Sequence, residues 1–137
     1  MHIMNGNGTT DGEVNGLGNL IVGYNELRST DNDRTGSHNI IVGRRHNYSS
    51  YGGLVVGSNN TISGAHASIS GGYNNTANGD YSNVSGGNNN TASGDWSIVS
   101  GGSHNSTIEN TSSVSGGYLR SVSGAYDWRA GGLFQDQ

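Results

Sequence analysis

The chain has 137 residues, 30% hydrophobic and 12% charged, with 25 glycines, no proline, no cysteine and a formal net charge of −4. That length suits one domain, and the missing cysteines exclude a disulfide framework. All six basic residues are arginine and only Arg44-Arg45 adjoin, so no nucleic-acid partner is expected.

From the N-terminus, Met1-His2-Ile3-Met4 lacks the charged start and long apolar core of a signal peptide. The chain is then expected to be either cytoplasmic or a fragment cut from a longer secreted or surface protein, and its abrupt start favours the fragment. Three apolar bursts follow: Leu20-Ile21-Val22-Gly23, Ile40-Ile41-Val42-Gly43 and Leu54-Val55-Val56-Gly57. None is long enough to cross a membrane. Their glycines lie 20 and then 14 residues apart, and the extra residues fall in the polar stretch 26–35, expected to be a loop inserted into one coil.

Beyond residue 54 the spacing becomes regular. Ile69-Ser70-Gly71-Gly72 returns as Val84-Ser85-Gly86-Gly87, Val99-Ser100-Gly101-Gly102 and Val114-Ser115-Gly116-Gly117, each 15 residues on. Asn59-Asn60-Thr61, Asn74-Asn75-Thr76 and Asn89-Asn90-Thr91 keep the same phase. The chain is therefore divided into irregular coils with the inserted loop (1–53), regular repeats (54–127) and a C-terminal cap (128–137), all in one domain.

The repeat overturns the disorder that so apolar-poor a composition would otherwise suggest, because stacked coils share a continuous core. Helix is excluded, since glycine costs about 1 kcal/mol per helical position and Ser, Thr and Asn are poor formers. Fifteen residues are too few for a propeller blade and fit one coil of two short strands, three to five residues each, and two turns. The expected fold is an all-β parallel β-solenoid of about eight coils, stacked at about 4.8 Å.

Residues of one column then lie on their own kind. Leu54, Ile69, Val84, Val99 and Val114 are expected to form an aliphatic spine, with Leu54 and Val56 on one face of their strand and Val55 on the other. Ile62, Ala77, Ala92 and Val122 face the spine. The Gly71 column takes the place of Val56 and narrows the core. Asn60, Asn75, Asn90 and Asn105 are placed to form a hydrogen-bonded ladder. The unbroken column Gly57, Gly72, Gly87, Gly102 and Gly117, continued by Gly132, predicts a turn with positive φ.

The units Ile40-Ile41-Val42-Gly43 and Leu54-Val55-Val56-Gly57, with the recurring Val-Ser-Gly-Gly and Asn-Thr-Ala-Ser-Gly, resemble the head repeats of trimeric autotransporter adhesins, the YadA-like heads. The resemblance covers roughly residues 17–126. It implies a left-handed parallel β-roll, a homotrimer, a place at the bacterial cell surface, and adhesion to a host matrix protein or glycan. The sequence departs from that family in its 15-residue period, in its Ser-Gly-Gly endings, and in having no neck, stalk or anchor motif.

No constellation carries enzyme chemistry. Asp31-Asn32-Asp33 opens like a calcium loop, but Val42 stands where the bidentate glutamate belongs. The histidines show no zinc spacing, so neither metal nor cofactor is expected. Asp80 and Asp95 share a column in the manner of paired glycosidase carboxylates, yet both follow a turn glycine, where aspartate is common. The aromatic column Tyr81, Trp96 and Tyr126 is the candidate binding or interface strip. Burial at a corner or a subunit interface is the favoured reading, given the large burial energy of aromatics. The expected function is a structural or adhesive surface module and not an enzyme. The alternative is a monomeric solenoid that binds carbohydrate or ice on a flat face, with a polysaccharide lyase a distant third.

Overall fold

The computed structural model describes residues 1–130. Fourteen strands, all paired in parallel, form two sheets, with no helix among the described residues. In chain order they are β1 (Leu20–Val22), β2 (Ile40–Arg44), β3 (Asn47–Tyr48), β4 (Leu54–Ser58), β5 (Thr61–Ile62), β6 (Ser68–Ile69), β7 (Thr76–Ala77), β8 (Asn83–Val84), β9 (Thr91–Ala92), β10 (Ile98–Val99), β11 (Ser106–Thr107), β12 (Ser113–Val114), β13 (Ser121–Val122) and β14 (Trp128–Arg129). One sheet is β1-β2-β4-β6-β8-β10-β12-β14; the other is β3-β5-β7-β9-β11-β13.

Each turn of the chain contributes one strand to each sheet, so the fold is a parallel β-solenoid. About six turns are complete, because the second sheet holds six strands. The coil count falls short of eight because residues 1–19 form no strand. Most strands are two residues long, shorter than the three to five expected, since turns claim the remaining residues of each coil. Single bridges from Ser58 to Tyr73, Asn88, Ser103 and Tyr118 add a third hydrogen-bonded line.

The core is two facing columns. Ile41, Val55, Ile69, Val84, Val99 and Val114 come from the first sheet; Tyr48, Ile62, Ala77, Ala92, Thr107 and Val122 come from the second. Each fully buried aliphatic contributes about 1.5–3 kcal/mol, a thin core for so many ordered residues. The coil-to-coil backbone hydrogen bonds therefore matter more here than in a globular domain.

The spine corrects the sequence expectation at one position. Val55, not Leu54, pairs with Ile69, and Val55 is fully buried while Leu54 faces outward beside Ser68. Val56 also points outward, so the Gly71 column does not narrow the core. The cause is the change from a 14- to a 15-residue step: strands align from Val55 to Ile69, and the added residue is absorbed in the turn before Gly72.

That turn is made by the second glycine column. Gly57, Gly72, Gly87, Gly102 and Gly117 all have positive φ. At Gly72, φ is 86°, and a Cβ would run into the carbonyl oxygen of Gly87 on the next coil. Both conformation and close approach therefore require glycine there. At the C-terminal end, Trp128 and Arg129 do not break the pattern as expected of a cap. They pair in register with Ser113 and Val114. Gly132 and the rest of the expected cap lie outside the described residues.

Candidate functional site

Two ladders at the corners fix the coils and account for most of the polar repeat. The Nδ2 of Asn75 donates to Gly71 O at 3.3 Å and to Gly87 O at 3.0 Å, and its Oδ1 accepts the backbone N–H of Asn90 at 2.9 Å. Asn60, Asn90 and Asn105 repeat this arrangement, and all four are fully buried. His46 occupies the same position one coil before Asn60, and Arg120 ends the series, its N–H bound to Asn105 Oδ1.

The aspartate column is also structural. The Oδ1 of Asp80 accepts the N–H of Ala65 at 2.8 Å, and that of Asp95 accepts the N–H of Asp80 at 2.9 Å. Asn110 does the same for Asp95. An asparagine continues the series, so a hydrogen-bond acceptor, rather than an acid pair, is what the column selects. Among the described residues no cluster of His, Cys, Asp or Glu is arranged to hold a metal ion.

The aromatic column behaves differently. On the single chain it is open to solvent: Tyr81 is 51% exposed, Trp96 57% and Tyr126 83%. The rings are therefore not buried inside the corner of their own chain, which leaves the interface half of the expectation standing beside the binding strip. Tyr51 meets His66 edge-on at 5.3 Å, His66 stacks on Tyr81 at 5.0 Å, and Tyr81 lies parallel to Trp96 at 5.6 Å. Thr111 interrupts the series, so Tyr126 stands apart from the stack.

These residues also sit in an unfavourable backbone conformation. His66, Tyr81, Trp96, Thr111 and Tyr126 have φ between 54° and 63°. The left-handed region costs a non-glycine residue roughly 1–2 kcal/mol. At the other corner, the equivalent left-handed positions hold Asn59, Asn74 and Asn89, the residue type that tolerates it best, flanked by Arg45, His104 and Leu119. What sets the aromatic edge apart is a continuous row of exposed, stacked rings at such positions, His66, Tyr81 and Trp96. The sequence column gave the residues; their exposure and their strain depend on the turn geometry.

A second exposed feature is apolar. The first sheet turns Leu20, Val22, Ile40, Val42, Leu54 and Val56 outward on three successive strands, flanking the inward residues Ile21, Ile41 and Val55. Ile21 lies in the spine column yet remains 37% exposed, because β1 is the edge strand. Leu17, Tyr24 and Leu27 are exposed in the same part of the chain.

No protein-family model, no curated protein and no solved structure matches the chain. Among the described residues no helix is long and apolar enough to cross a membrane.

Proposed function

We propose that the chain is a self-associating structural module of a surface or secreted fibre, packed laterally as a trimer through the outer face of its first three long strands. One observation carries this reading. β1, β2 and β4 begin Leu-Ile-Val, Ile-Ile-Val and Leu-Val-Val, whereas β8, β10 and β12 carry Asn-Val, Ile-Val and Ser-Val with serine following. Continuous apolar runs belong to parallel strands covered on both faces; alternation belongs to strands with one wet face. In the single chain only one face of β2 and β4 is covered, and β1 is exposed on both. A second copy supplies the other cover, in keeping with the resemblance to trimeric adhesin heads. Light scattering on the purified chain tests this directly, with a trimer mass expected.

A second role rests on the aromatic edge. A row of exposed, pre-stacked rings held at unfavourable φ suits contact with a sugar or a partner protein, and gives the module its adhesive surface. Glycan binding that weakens in Trp96→Ala supports it, and unchanged binding removes it.

A further inference from the structure

Four of the six arginines, Arg28, Arg34, Arg44 and Arg45, fall within residues 28–45 of a chain whose net charge is −4. The inserted loop brings them together. Arg34 Nε donates to His46 O at 3.2 Å, and its other nitrogens reach Asn25 O and Glu26 O, which fastens the loop to the coil. Arg28 donates from Nε to Arg45 O at 2.8 Å and from Nη2 to Asn59 O and Asn60 O at 2.6 and 2.8 Å. Its guanidinium is thus held rigidly by neutral carbonyls. Partial burial, and then the charge of Arg34, push its pKa below the ordinary arginine value, with Asp31 opposing.

Between the loop and the ends of β2 and β4 lies a cleft of about 410 Å³. Arg28, Arg44 and Arg45 line it, with Asp31, Ser58 and Tyr73. Arg44 donates from Nε to Ser58 Oγ at 3.3 Å. Arg45 sits at φ 58°, in the left-handed position where the following coils place Asn59, Asn74 and Asn89. Three guanidiniums around one carboxylate leave an excess of positive charge, and the repeat's own residues, Ser58-Asn59, would have avoided it.

We propose that this cleft binds an acidic saccharide, its carboxylate or sulfate held by Arg28, Arg44 and Arg45 and its ring set against Tyr73. The oxyanion suits the charge of the three guanidiniums and the N–H groups they keep beyond these contacts, Nη1 of Arg28 and the terminal nitrogens of Arg44 and Arg45. The cleft volume falls within the range of small-ligand sites. Hydroxyl and amide groups of Ser29, Thr30, Ser58 and Asn59 line the remainder and match sugar hydroxyls, and half-exposed Tyr73 supplies an aromatic wall. The site lies at the C-terminal ends of β2 and β4, adjoining the lateral face proposed above, and belongs to a different corner from Tyr81 and Trp96.

The test is calorimetric titration of the chain with glucuronate, glucose 6-sulfate, glucose, inorganic sulfate and a tetraglutamate peptide. The comparison protein is Arg44→Ser/Arg45→Asn, which copies Ser58-Asn59 from the next coil and is expected to melt no lower than the parent. At least one acidic sugar should bind saturably, more weakly as salt rises, and at least roughly tenfold more weakly to the variant. Glucose and inorganic sulfate should bind less well than the acidic sugar. Absent binding of both acidic sugars, equal binding to a folded variant, or glucose binding as well as its acidic counterparts would overturn the site. Inorganic sulfate or the peptide binding as tightly as the sugars would overturn the saccharide assignment.

Discussion

The Nδ1 of His46 accepts the backbone N–H of Asn60 at 3.2 Å, so an imidazole begins the buried ladder that carboxamides continue. Its Nε2 donates to Val42 O at 3.1 Å, as Asn60 Nδ2 donates to Val56 O at 2.7 Å one coil later. The pair of contacts demands the neutral ring with its proton on Nε2. Burial is the main cause that holds its pKa below the ordinary value, with the charge of Arg28 adding a little and backbone contacts opposing.

A pH dependence follows. The folded state binds this proton less readily than the unfolded chain, whose histidine titrates at about 6.5. Stability is therefore full above that pH and declines as pH falls through about 6.5 toward the lower folded value. Melting temperature against pH should show this decline. His46→Asn, which installs the ladder residue, should flatten it, and an unchanged slope in that variant would place the titration elsewhere.

The ladder itself should be costly to break. Asn75→Ala removes two donors and one acceptor from a buried corner and leaves the Asn90 N–H and two carbonyls without those partners. The orphaned Asn90 N–H costs about 1–3 kcal/mol, and the half-buried Gly71 carbonyl adds to it while Gly87 O keeps the Tyr73 N–H, so a loss of about 2 kcal/mol or more is expected in denaturant unfolding. A loss below about 1 kcal/mol would mean that water replaces the amide freely.

Neighbouring glycines should differ sharply. Gly72→Ala forces a Cβ against the Gly87 carbonyl at φ 86° and should unfold or severely destabilise the chain. Gly71→Ala meets nothing within 4 Å and should fold normally. Circular dichroism melts of the two variants decide this, and similar melting temperatures would contradict the stacking described.

Trp96→Asn relieves left-handed strain of roughly 1–2 kcal/mol and forfeits a ring stack of about 0.5–1.5 kcal/mol. The two nearly cancel, so stability should stay within about 1 kcal/mol of the parent. A loss of several kcal/mol would show that Trp96 serves the fold after all and would remove the case for a binding edge.

The sequence made the solenoid legible because the 15-residue period leaves no other economical way to bury its two thin facing columns. The Asn60 to Asn105 ladder and the invariant glycine turn were readable for the same reason: stacking on like residues turns a column in the sequence into a line of contacts. Leu54-Val55-Val56 was not readable, since three adjacent apolar residues carry no period, and the change of step at that point moves the inward position by one. His46 as a ladder member was marked only by its 14-residue offset from Asn60. The arginine cleft was hidden further, because it exists only where the inserted loop folds back onto the coils. Its one sequence signal was the crowding of four arginines into residues 28–45.

The central claim is that the outer face of β1, β2 and β4 is covered by other copies of the chain. Sedimentation equilibrium of the parent beside Ile40→Lys/Leu54→Lys tests it most directly, since both side chains point away from the core. The account predicts a parent of three chain masses at micromolar concentration and a folded variant of one. A parent that sediments as a folded monomer, or a variant that keeps the parent's mass, would contradict it.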